Sequence, residues 1–232
     1  MKKTYRYAHA IVPVIFTMQT LFAESLSFKH KNYFIKPGYI ARTSYHHHDD
    51  RALTDGSQNE VYQAAYDLMK QYNLTDIADI GCGSGYKLIK YFDSYNTIGY
   101  EIEPTLTFLK KKYPHKSWQE SRLGSCPENQ TADLIICADV IEHLLNPDEL
   151  LNFINRFSFK FLVISTPDRD KLPEIQQSCQ SQNGPPVNLA HVREWSFSEF
   201  RTYVNQYFDV IEHFHTQQEW WGQVIIAVKK GQ

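Results

Sequence analysis

From residue 59 onward, apolar positions fall into two kinds of block that take turns along the chain. Val61, Ala65, Leu68, Met69 and Tyr72 recur at helical spacing. Ser57 and Glu60 stand just ahead of them, and that pairing predicts a capping box. Ile77-Ala78-Asp79-Ile80 predicts a short strand running into glycines, and Leu88, Ile89 and Phe92 then share one helical face. Thr97 to Ile102 reads as a second strand. Pro104 suits a first helical position, ahead of Leu106, Phe108 and Leu109. Lys116 to Gln119 is a third candidate strand. The nearly continuous apolar run from Asp133 to Ala138 fits a central parallel strand buried on both faces. Asn146-Pro147-Asp148-Glu149 opens a helix with a cap, a proline and first-turn acids. Phe161 to Ser165 is a fifth strand. Ser196 and Glu199 predict a second capping box before Phe200 and Tyr203, and Phe208 to Phe214 and Val224 to Val228 form the last two strands.

Strands alternating with helices predict an α/β, Rossmann-like sheet, mostly parallel, with helices on both faces. The last two strands have no helix between them, which predicts an antiparallel C-terminal hairpin at one edge. The domain boundary falls near residue 59. A polar and aromatic extension, residues 25–58, precedes it, and before that stands an apolar segment, residues 1–24. That segment has Lys2 and Lys3 ahead of apolar residues from Ala8 to Ala23, in the manner of a secretory signal peptide. Pro13, His9 and Gln19 fit that pattern poorly, and an apolar helix packed on the domain is the competing reading. No later stretch is long and apolar enough to predict a stable membrane span.

Composition changes this picture little. Of 232 residues, 42% are hydrophobic and 22% charged, as in an ordinary globular chain. A net charge of -2 offers no general basic surface, so no nucleic-acid partner is expected. Lys110, Lys111 and Lys112 sit late in a predicted helix, where cations suit its C-terminus. The four cysteines show no zinc spacing. His46, His47 and His48 beside Asp49 and Asp50 read as an exposed turn, because adjacent side chains of an extended segment cannot all face one ion. No metal site is expected.

Candidate chemistry concentrates after the first strand. Asp79-Ile80-Gly81-Cys82-Gly83-Ser84-Gly85 leaves a strand and enters a helix, the context of a nucleotide-type glycine loop. Glu101 ends the next strand, where a carboxylate can accept hydrogen bonds from both hydroxyls of a ribose. The spacing is G-x-G-x-G, not the G-x-G-x-x-G that admits a pyrophosphate. An acid at Asp79 suits a ligand with an ammonium group.

With Gly99-Tyr100-Glu101 and Ala138-Asp139-Val140-Ile141-Glu142-His143, these residues resemble the class I S-adenosylmethionine (SAM)-dependent methyltransferases. The likeness is to the small-molecule members of ubiquinone-biosynthesis and sugar or glycan type, and it covers residues 59–232. It implies SAM as cofactor and a seven-stranded sheet with the last hairpin reversed. By position, Asp79 would sit near the SAM amino group, and Gly81, Cys82, Gly83 and Gly85 would wrap the ligand. Glu101 would hold the ribose and Ile102 would pack on the adenine. Asp139 would face the methionine moiety or reacting centre, with His143 in the same wall. The family's usual acid for the adenine amine has no clear match among Glu120, Ser125 and Glu128.

Asn188-Leu189-Ala190-His191-Val192-Arg193-Glu194-Trp195 resembles the substrate-side segment of the same group. His191 is a candidate general base and Arg193 a candidate anion holder. Tyr39 and Arg42, with Tyr45, are candidates for a lid over SAM or substrate, and an ordered N-terminal wrap is the favoured competing reading. The expected reaction is O-methylation of a small molecule or a sugar hydroxyl. Two competitors remain. One is a nicotinamide-dependent oxidoreductase, which the glycine spacing disfavours. The other is a SAM-fold protein without turnover, exported or partner-binding, which the signal-like start motivates. SAM chemistry favours the cytoplasm. The sequence leaves the oligomeric state open.

Overall fold

A computed structural model describes residues 32–44, 48–124, 130–172, 182–218 and 221–231. The apolar segment 1–24 and the extension up to residue 31 lie outside the described residues, as do Tyr45, His46 and His47. Phe34–Gln232 form one compact unit.

Seven strands build one sheet: β1 (Asp76–Ile80), β2 (Asn96–Glu101), β3 (Ser117–Glu120), β4 (Leu134–Ala138), β5 (Phe161–Pro167), β6 (Phe208–His215) and β7 (Gly222–Lys229). Their order is β3-β2-β1-β4-β5-β7-β6. The first five pair in parallel, as the strand-helix alternation predicts. β4 is buried along its whole length, which explains its unbroken apolar sequence.

The C-terminal pair adds a detail to the expected hairpin. β7 inserts between β5 and β6 and runs against both. Only β7 is therefore reversed, and β6 takes the edge. Burial explains the choice: Val224, Ile225, Ile226 and Ala227 of β7 are all buried, whereas Ile211 in β6 is 55% exposed. β6 also carries an irregularity between Val210 and Glu212, a common way to blunt an edge strand.

Five helices flank the sheet among the described residues: α1 (Asn59–Gln71), α2 (Tyr86–Phe92), α3 (Thr105–Lys112), α4 (Pro147–Asn155) and α5 (Phe197–Val204). Val61, Tyr62, Ala65, Leu68 and Met69 form the buried face of α1, and Tyr72 falls just past its end. The predicted box at Ser57 does not form. Gln58 is the N-cap, at φ 63°, without a side-chain cap. Its Nε2 instead donates to the Ala138 carbonyl at 3.2 Å. The Glu60 carboxylate is drawn away as well, accepting from the backbone N–H groups of Gln217 and Gln218. The second box does form: the Ser196 side chain accepts from Glu199 N–H, and the Glu199 side chain accepts from Ser196 N–H. Pro104 stands at the N-cap of α3, one place earlier than predicted. Asn146 makes no side-chain cap on α4; its amide donates to Glu149 Oε1 at 2.9 Å.

The chain leaves β1 toward β2 on one side, and β4 lies on the other. Ligands of such sheets bind at this switch point, beyond the carboxyl ends of the strands.

Candidate active site

A cavity of about 470 Å³ opens at that point. One part of it is built from the glycine loop. Gly81 N–H and Cys82 N–H both donate to the Tyr100 carbonyl, which folds the loop back over β2. Gly83 N–H donates to Glu101 Oε2 at 2.9 Å, and Ile102 N–H donates to Glu101 Oε1 at 2.8 Å. Two backbone donors thus aim the carboxylate at the cavity, where a ribose hydroxyl can donate to it. Gly85, at φ +69°, ends the loop where a Cβ would lie 2.7 Å from Leu109 and 2.9 Å from Trp118. Both its backbone angle and its surroundings therefore require glycine. Ile102 lines the cavity and is 40% exposed, so an apolar face awaits a flat ring. Ser121 and Leu123 line the same region. Glu120 pairs outward with Arg122, and Ser125 and Glu128 lie outside the described residues.

Asp79 is fully buried on β1. Tyr62 Oη donates to its Oδ2 at 2.8 Å, while Oδ1 has no partner. Burial pushes its carboxyl up to about 7, against the hydrogen bond from Tyr62, and the Glu101 charge adds to the rise. Asp79 does not itself line the cavity; Tyr62, Ile80 and Gly81 do, and the unpaired oxygen lies buried behind them.

The second part of the cavity follows β4. Asp139 adopts φ 53°, the left-handed region, which a non-glycine residue occupies at a cost. Ser165 Oγ donates to its Oδ1 at 2.6 Å. Burial raises its pKa, and the bonds from Ser165 and Gln58 oppose the rise. A short helical turn, Ile141–His143, then brings Glu142 and His143 to the cavity wall. Glu142 is fully buried. Thr166 Oγ1 donates to its Oε2 at 3.0 Å, and Oε1 has no hydrogen-bond partner. Burial, then the nearby Asp139 charge, pushes its carboxyl well above the usual range.

The loop 184–195 completes the wall. Val192 N–H donates to the Glu142 carbonyl at 2.7 Å and pins the loop to the turn. His191 Nδ1 donates to the buried Glu194 Oε1 at 2.7 Å, and His143 Nδ1 donates to the Ala190 carbonyl at 2.9 Å. The two rings meet edge to face, with centroids 5.0 Å apart. Glu142, His143 and His191 can each bring one ligand atom within 4.8 Å of the others. Two imidazoles, each with Nδ1 tied to an oxygen, beside a buried carboxylate with an unpaired oxygen, fit the donor set of a divalent cation. Sequence reasoning expected no metal and gave Glu142 no role. The signal was present in the spacing: Glu142 and His143 follow Asp139 within one short turn, and Glu194 follows His191 by three residues.

Three expected substrate contacts have other partners. Arg193 is buried and donates from Nη1 to the Leu144 carbonyl and from Nη2 to the Leu145 carbonyl, so its charge holds backbone rather than an anion. Tyr39 Oη accepts from Glu194 N–H at 3.0 Å, and burial followed by the Glu194 charge raises its pKa. Arg42 Nη2 donates to the Pro186 carbonyl, and its N–H donates to the Val192 carbonyl. Tyr39 and Arg42 therefore latch the loop 184–195. His48, by contrast, lines the cavity and stacks on His143 with centroids 6.3 Å apart. Trp221 also lines it, and Trp220 lies outside the described residues.

A doubly wound sheet with one reversed strand, a glycine loop and an aimed strand-end carboxylate define the class I SAM-dependent methyltransferases. Residues 45–219 match the family described as a methyltransferase domain, and the chain belongs to it. It is an enzyme that uses SAM. A small RNA 2'-O-methyltransferase of Rattus norvegicus is 29% identical over 172 residues, covering 62% of this chain and 41% of that protein. The chain thus spans about two fifths of that relative's length. Among solved structures, a SAM-dependent methyltransferase from Clostridium acetobutylicum superposes with a TM-score of 0.59 at 11% identity, over 76% of this chain and 94% of the other. The methyltransferase domain of a bacterial CtHen1 superposes with a TM-score of 0.55 at 20% identity, over 74% of this chain and 98% of the other.

Proposed function

We propose that the protein methylates a ribose 2'-hydroxyl of RNA, with Glu142, His143 and His191 holding a divalent cation beside the SAM site. The observation that carries this reading is the shared cavity. The cofactor residues Gly83 and Glu101 and the cation set line one continuous space. The sequence relationship to small RNA 2'-O-methyltransferases supports the acceptor class. This departs from the small-molecule or sugar acceptor expected from the sequence, and from the expectation of no nucleic-acid partner, on the strength of that relationship. Whole-chain charge argues little against it, because an enzyme that grips one nucleotide needs few phosphate contacts.

Transfer breaks the S–CH₃ bond of SAM, forms an O–CH₃ bond, leaves S-adenosylhomocysteine and passes the hydroxyl proton to solvent water. The sulfonium is already activated, so the protein's task is in-line placement. Asp79 holds the amino group, Glu101 the ribose, and Gly81, Cys82, Gly83 and Gly85 the turn between them. Asp139 sits at the junction of the cofactor and acceptor sides. When bound, a divalent cation supplies Lewis acidity that eases loss of the hydroxyl proton. Glu194 and Ala190 fix the ring orientations of His191 and His143.

A second reading keeps the small-molecule or sugar acceptor and uses His191 as general base. The His191–Glu194 bond favours it, since a carboxylate on Nδ1 orients an imidazole to take a proton at Nε2. One experiment separates the two. Methyl transfer from labelled SAM would be measured on an RNA oligonucleotide and its 2'-deoxy counterpart, with and without EDTA. Transfer to RNA alone that is abolished by EDTA supports the cation-assisted reading. Chelator-resistant transfer to a small hydroxyl acceptor, and none to RNA, refutes it.

A further inference from the structure

The two nitrogens of His191 have partners of opposite character. On the Nδ1 side, Glu194 is 1% exposed and the bond is short, at 2.7 Å. On the Nε2 side, Asn188 Nδ2 lies 3.0 Å away. The amide orientation of Asn188 is not arbitrary. Ala190 N–H donates to its Oδ1 at 3.0 Å, which leaves the NH₂ end facing the ring. With Nδ1 donating to Glu194, Nε2 is the acceptor, and the amide of Asn188 fills its lone pair. Asn188 lines the cavity but is exposed, between Val187 at 43% and Leu189 at 60%. Its exposed side chain can turn into water at the cost of the bond from Ala190 N–H, which water can replace.

We propose that Asn188 is a reversible cap on His191, occupying the Nε2 lone pair in the cation-free protein and turning away when a divalent cation binds. This rests on the cation reading of Glu142, His143 and His191. The cap holds His191 in the tautomer that coordination requires, and it competes with the cation for the same electrons. Affinity for the cation is therefore set below what the three ligands alone would give. Asn188 is a positioning residue in this scheme, not a ligand.

Mn²⁺ titration of the full chain by calorimetry tests this with Asn188→Ala, Asn188→Asp and His191→Ala. Removing the cap is expected to tighten Mn²⁺ binding about fivefold, the size of one neutral hydrogen bond. Asn188→Asp keeps the acceptor for Ala190 N–H and removes the competing donor, so it should bind at least as tightly as Asn188→Ala. His191→Ala should lose more than tenfold (roughly, for loss of a ligand or its support). Loss of binding in His191→Ala with unchanged or weaker binding in Asn188→Ala overturns the cap and leaves the cation site standing. Absence of Mn²⁺ binding in the wild type and in Asn188→Ala overturns both. A second measurement needs no metal: the His191 Nε2 resonance in ¹⁵N spectra should move in Asn188→Ala, and a stationary resonance refutes the contact.

Discussion

Replacing Asp79 with asparagine should make the protein more stable and unable to bind its cofactor. The carboxyl is fully buried and titrates at about 7, against an ordinary value of 3.8. The folded protein therefore keeps this proton over a window in which the unfolded chain has lost it. Folding takes up a proton between those values, so stability falls as pH rises from about 4 to about 7. A difference of about 3 pH units corresponds to about 4 kcal/mol, as an upper figure before local relaxation. Asparagine has no charge to bury and can still accept from Tyr62. At pH 8 the variant should gain roughly 2–4 kcal/mol in urea unfolding, and at pH 4 almost nothing. SAM titration should show the opposite sense, a loss of roughly a hundredfold, because a charged hydrogen bond to the ammonium disappears. In the wild type, an ammonium beside Asp79 lowers its pKa, so SAM binding should release a proton and weaken as pH falls below about 7. Calorimetry in buffers of different ionisation enthalpy reads that proton directly. An Asp79→Asn protein that is less stable at pH 8, or that binds SAM as the wild type does, would refute the reasoning.

Other outcomes follow from the same geometry. Arg193→Ala should cost about 2 kcal/mol of stability through its two carbonyl bonds while SAM affinity holds, and a selective rise in acceptor KM without destabilisation would restore the anion-holder role. Gly184→Ala should destabilise by about 3 kcal/mol or more, because φ is +70° and the new Cβ would lie 2.0 Å from the Ile40 carbonyl oxygen; a wild-type melting curve would contradict this. Ser196→Ala should lose about 1 kcal/mol from the α5 cap, measured by urea unfolding. Glu142→Gln should abolish Mn²⁺ binding yet raise apo stability at pH 8, since its buried carboxylate has one unpaired oxygen.

The sheet and the cofactor side were legible in the chain because they depend on local rules. β4 announces itself by an unbroken apolar run, and the glycine loop by residues that must turn sharply. The place of Glu101 at the end of β2 was legible because the strand's apolar run stops there. The acceptor side was less so, because its contacts join distant segments. Glu142 and His191 meet only through the loop pinned at Val192, and no periodicity encodes that. Arg193, Tyr39 and Arg42 looked like ligand contacts because their polar groups stand beside a functional segment. Their partners are backbone groups, which a sequence does not single out. The Ser57 box failed for a related reason: Glu60 is claimed by N–H groups of Gln217 and Gln218.

The latch formed by residues 39–42 sets where the enzyme can be cut. The family match begins at residue 45, past Tyr39, Ile40 and Arg42. Those residues tie down Asn183, Pro186, Val192 and Glu194. A protein trimmed to the family boundary would keep its strands, its glycine loop and the Asp79 and Glu101 carboxylates. It would lose those ties on the loop that carries His191, leaving it held by Val192 N–H on the Glu142 carbonyl and by Arg193 on the Leu144 and Leu145 carbonyls. Such a fragment should bind SAM as the whole chain does and transfer methyl groups more slowly, its acceptor loop held from one side instead of two. The short stretch outside the family core thus steadies the loop that carries His191.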